Sequence, residues 1–115
     1  MNLIFGKITL KEKNMKLLMI TAIQAFEKDI KFLLKKSAIN HFSYTDVKGY
    51  CDLTQKSVSE NWFASEMNES QSLMFYAYVP KENADQLFNA VAEFNEKQRT
   101  ASKVHVVVLT IEKSN

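Results

Sequence analysis

The sequence predicts an α+β sandwich, a four-stranded antiparallel sheet with two helices on one face, and three observations lead there. The apolar period switches between two and about 3.6 along the chain, giving the order β-α-β-β-α-β. Each helical stretch is apolar along a single stripe, so it can cover only one side of a sheet. The chain has 115 residues, enough for one hydrophobic core and too short for two.

Residues 16–23 are apolar on both alternating sets, Leu18/Ile20/Ala22 and Leu17/Met19/Ile23, as in a strand covered on both faces. From Phe26 the spacing becomes Phe26, Ile30, Leu33, Leu34 with lysines opposite, which predicts a first helix ending near Ser37. Residues 41–50 carry Phe42, Tyr44, Thr45, Val47 and Tyr50, a β-rich second strand. Residues 52–61 hold only Leu53 and Val58 as aliphatics, too little to bury, and are expected to be an exposed, mobile loop. Trp62, Phe63 and Ala64 are expected to re-enter the sheet as a short ribbon, and Asn68, Glu69 and Ser70 to supply turn chemistry before a third strand at 73–79. Pro80 ends that strand, Asn83 with Gln86 reads as a capping pair, and Ala84, Leu87, Phe88, Val91 and Phe94 form the stripe of a second helix. The run 104–111 (VHVVVLTI) is the strongest strand signal. Right-handed crossovers close this order into the ferredoxin-like split βαβ arrangement.

With both helices on one face, the other should alternate to polar residues in a monomer, and it does not. Met74, Tyr76 and Tyr78 on strand three and His105, Val107, Leu109 and Ile111 on strand four leave an apolar face, the mark of an interface.

Composition excludes several functions. Two glycines and one proline rule out a glycine-rich phosphate loop, and one cysteine with two histidines rules out a zinc-finger ligand set. A single cysteine forms no intrachain disulfide, and with no secretory signal pattern the cytoplasm is the expected compartment. The formal charge of +2 comes from residues 1–14, which take three of the fifteen basic residues and one of the thirteen acidic ones; the remainder is balanced. Such a domain lacks the footprint of a nucleic-acid binder.

Lys11-Glu12-Lys13 requires purine-rich codons just before the Met15 codon, as a bacterial ribosome-binding site would have. Residues 1–14 are therefore expected to be a mis-assigned or flexible extension, translation starting at Met15, with 15–115 the domain. The other reading is an extra edge strand built on Leu3, Phe5, Ile8 and Leu10.

Specific residues then add a resemblance. Met15-Lys16-Leu17 with Thr21-Ala22-Ile23, Thr45-Asp46-Val47-Lys48-Gly49-Tyr50-Cys51, Val79-Pro80-Lys81-Glu82, and Arg99-Thr100 followed by residues 106–112 resemble the P-II signal-transduction family in its wider P-II-like form. The second block is close to the family's Thr-Glu-Val-Lys-Gly-Phe-Gly signature, where a strand gives way to the T-loop. The family's glycine-rich phosphate loop is reduced here to Thr100-Ala101-Ser102-Lys103, its C-terminal arginine pair is absent, and 52–61 contains no tyrosine for uridylylation. Without glycines the backbone cannot converge N–H donors on a triphosphate, so weak or no ATP binding is expected.

The resemblance implies a homotrimeric, non-enzymatic regulator that binds a small effector, a nucleotide or anion, at subunit clefts. It would signal through the loop to a target protein such as a transporter, channel or enzyme. The implied ligand residues are Gly49, Tyr50, Cys51, Arg99 and Lys103, with no catalytic or metal set and no cofactor assigned. Tyr76 and Tyr78 with Trp62 read either as a ring-stacking surface or as packing in the trimer core. One rival is a copper- or zinc-responsive trimer resembling CutA and efflux-associated P-II-like proteins, using Cys51 or the histidines. Another is a ferredoxin-like α+β-barrel oxygenase dimer.

Overall fold

The computed structural model describes residues 14–50 and 69–115. The leading segment 1–13, Cys51, the loop at 52–61 and the ribbon at 62–64 lie outside the described residues. Strand β1 (Met15–Ile23) runs through a 3₁₀ turn (Gln24–Phe26) into helix α1 (Glu27–Lys36). Strands β2 (Ser43–Tyr50) and β3 (Glu69–Pro80) follow, then helix α2 (Lys81–Lys97) and strand β4 (His105–Thr110). The sheet order is β2-β3-β1-β4, every neighbouring pair antiparallel, which is the expected ferredoxin-like arrangement.

Alternation along the strands sets the layers. Leu18, Ile20 and Ala22 of β1 and Leu73, Phe75, Ala77 and Val79 of β3 are buried with Ile30, Leu33 and Leu34 of α1 and Ala84, Leu87 and Val91 of α2. Burying each large apolar side chain contributes about 1.5–3 kcal/mol, so this single cluster dominates stability. Phe26 meets Phe94 edge-on, ring centroids 5.2 Å apart, where the start of α1 crosses the end of α2.

Three local expectations are corrected. Glu69 and Ser70 do not turn: they pair with Tyr50 and Gly49 and lengthen β3 at its start, because a ladder partner outweighs turn propensity. Phe88 is 49% exposed. At 100° per residue it lies about 80° from the centre of the stripe through Ala84, Leu87, Val91 and Phe94. Asn83 and Gln86 do not cap α2, whose N-cap is Pro80 with no side-chain hydrogen bond.

Those two amides reach the other helix instead. Helix α1 ends in a Schellman turn: Ile39 N–H donates to Leu34 O (2.9 Å), Ala38 N–H to Lys35 O (3.0 Å), and Ala38 is left-handed at φ 62°. The two carbonyls beyond accept from α2, Lys36 O from Gln86 Nε2 (3.4 Å) and Ser37 O from Asn83 Nδ2 (3.0 Å). The orphan carbonyls of the helix end are thereby satisfied, as burial of Ser37 demands.

Candidate functional site

The sheet face opposite the helices is apolar and open. Register places Leu109, Leu17 and Tyr78 in one cross-strand row and Val107, Met19 and Tyr76 in the next. Tyr78 is 63% exposed, while Tyr76, Val107 and Leu109 are each a little over a third exposed. A third row holds His105, Thr21 and Met74; His105 is exposed in the single chain.

At the β2 edge of this face a cleft of ≈450 Å³ is lined by Asn40, His41, Phe42, Ser43, Tyr76, Ala77 and Tyr78. Its origin is local. Strand β2 starts only at Ser43, opposite Tyr76, so the last residues of β3 have no strand on that side. The segment leaving the left-handed turn at Ala38 passes beside them, held by buried Ile39 and by Phe42 against Phe75, 5.7 Å between centroids. Between those anchors, exposed Asn40 and His41 line the cleft together with two phenol rings. Such a lining can stack on a flat ring and hydrogen-bond its edge. The sequence pointed to Tyr76 and Tyr78 as stacking candidates; that His41 joins them depends on where β2 starts.

The implied ligand residues fall into two groups. Gly49 is buried opposite Ser70, and Tyr50, 64% exposed, ends β2 opposite Glu69. Cys51, next in the chain, lies outside the described residues. Arg99 and Lys103 flank the turn before β4 and are exposed. Lys103 Nζ donates to Asn95 O (3.3 Å), while the Asn95 side chain takes both backbone groups of Val104, accepting from its N–H (2.9 Å) and donating to its O (2.8 Å), which aims β4. Gln98 closes the same turn: its Oε1 accepts from Thr100 N–H (2.8 Å) and Thr100 Oγ1 (2.6 Å), and its Nε2 donates to Ser102 O. Both donors of Thr100 are therefore taken by Gln98 within the turn.

Strand directions put both groups at the same end of the sheet, but β2 and β4 are its opposite edges with β3 and β1 between. At about 4.8 Å per strand step that is roughly 14 Å of separation. One chain does not bring Gly49 and Tyr50 to Arg99 and Lys103; the edges of two chains are needed to do so. Among the described residues no three His, Cys, Asp or Glu side chains cluster as a metal site, and no helix is long and apolar enough to cross a membrane.

The open-faced βαββαβ sheet is the fold of PII-like proteins, here in divergent form. Among solved structures, the chain is similar to a DUF3240 family protein from Shewanella baltica OS155, at 16% identity and TM-score 0.60 over 89% of this chain and 94% of that one. It is similar to CPII, a nitrogen regulatory PII-like protein from Thiomonas intermedia K12 bound to ADP, AMP and bicarbonate (18% identity, TM-score 0.57, 88% and 96% covered). The GlnK–ATP complex of B. subtilis also matches (20% identity, TM-score 0.57, 84% and 82% covered). No protein-family model matches the sequence, and no curated protein does.

Proposed function

We propose that the chain is a PII-like regulatory protein, a homotrimer that takes a small ring-bearing anion at clefts between subunits. It reports occupancy through residues 52–61 to a target protein such as a transporter, channel or enzyme. The observation that carries this reading is the cleft of Asn40, His41, Tyr76 and Tyr78 on an otherwise apolar open sheet face. The face needs closed coverage, and covering it with copies of itself brings the β4 edge of one subunit, with Arg99 and Lys103, to the β2 edge of the next.

An adenine mono- or diphosphate fits better than ATP. Stacking on the tyrosines supplies the ring contact and two cations supply charge, while a glycine-free turn whose Thr100 donors are already taken by Gln98 is a poor cradle for three phosphates. That CPII was solved with ADP, AMP and bicarbonate supports the ligand class. The protein acts by binding and not by catalysis, in the reducing cytoplasm. Light scattering and calorimetry with AMP, ADP, ATP and bicarbonate test the reading: a trimer binding AMP or ADP more tightly than ATP supports it, and a monomer that takes none of the four overturns it.

A further inference from the structure

We infer that Asn83 is a positioning residue of the cleft, although it lines no part of it. The inference rests on the reading of that cleft as the ligand site. Its amide donates to the carbonyl of fully buried Ser37, 46 residues earlier in the chain. Ser37 is the hinge between α1 and the left-handed Ala38, and the next residues are Ile39, buried in the core, and Asn40 and His41, which line the cleft. Left-handed alanine is a strained conformation that persists only where its surroundings hold it. The Schellman bonds hold it from the α1 side, and Asn83 holds it from α2.

Loss of this donor leaves a buried carbonyl unpaired, and the turn can relax by re-aiming the segment that carries His41. The pair of α2 amides, Asn83 and Gln86, thus does for the cleft wall what a cap does for a helix end: it fixes the direction in which the chain leaves.

The test compares Asn83→Asp, which keeps the shape but cannot donate, with Val91→Ala, a core truncation about two turns further along the same helix at a residue that does not line the cleft. Both variants are studied below their melting temperatures by amide hydrogen exchange, by NMR of the His41 and Tyr78 rings, and by AMP titration. In Asn83→Asp, the Ser37, Ala38 and Ile39 amides should exchange about tenfold faster than in Val91→Ala. The two ring resonances should move, and AMP affinity should fall about tenfold. Equal acceleration at those amides in both variants, or unmoved ring resonances, reduces Asn83 to a general stabilising contact and overturns the inference. If the unmodified chain takes no AMP, the ligand reading falls while the exchange and ring measurements still decide the role of Asn83.

Discussion

The Lys31 ammonium stands 2.9 Å from the Tyr44 hydroxyl and 4.5 Å from the centroid of the Tyr44 ring, so one cation ties helix α1 to the edge strand β2. Lys31 also donates to Glu27 Oε2 at 2.8 Å, one turn back on the helix. Tyr44 in turn stacks flat on Phe75, centroids 4.9 Å apart and planes 13° from parallel. This column braces the strand whose far end leads into Tyr50.

Glu27 should titrate below an ordinary glutamate, because the hydrogen bond from Lys31, and next its charge, favour the carboxylate. Lys31 is raised, first by its bond to Glu27 and then by its bond to Tyr44. A depressed carboxyl contributes stability above its unfolded pKa and loses it as pH falls through the folded one; a raised lysine contributes below its unfolded pKa and loses it as pH rises through the folded one. The contribution of this pair is therefore flat across neutral pH and fades at both extremes. NMR titration of the Glu27 carboxyl checks it: Lys31→Met should return the midpoint upward, and an unchanged midpoint would contradict the assignment.

Ala38→Gly should stabilise the protein by about 0.5–1 kcal/mol, because glycine occupies φ 62° without the Cβ clash while giving back some unfolded-state entropy. Urea denaturation measures it through a higher midpoint at unchanged slope. A lower midpoint would mean that the turn is not strained.

Tyr78→Asp should convert a trimer to folded monomers. The side chain is 63% exposed in one chain, so the monomer tolerates the charge, whereas burying it unpaired at an interface costs on the order of 3–5 kcal/mol. Light scattering with circular dichroism separates dissociation from unfolding. A folded variant that stays trimeric would remove this face from the interface.

Lys103→Ala should weaken ADP binding by about tenfold, the effect of removing one charge-assisted contact to phosphate. Its ammonium donates to the Asn95 carbonyl at the exposed surface, so little fold stability rides on it. Calorimetry gives the comparison. Unchanged affinity in a variant that folds normally would place the phosphates elsewhere.

Local pattern by itself determined the element order, which residues share a face along β1, β3 and β4, and the apolar character of the face opposite the helices. Those features are written in spacings of two to four residues: Leu18, Ile20 and Ala22 share a face because every second side chain must, and Ile30, Leu33 and Leu34 because 3.6 residues make a turn. The signature around Gly49 was likewise visible as a run of adjacent residues. Tertiary structure alone decided what depends on partners far away in sequence. Asn83 and Gln86 match a capping pair in isolation, yet the carbonyls they satisfy belong to residues 37 and 36. Glu69 and Ser70 look like a turn until Tyr50 and Gly49 supply a ladder. The cleft exists because β2 starts opposite Tyr76 and not earlier, a matter of register between strands, and a periodicity within one strand carries no information about register with another.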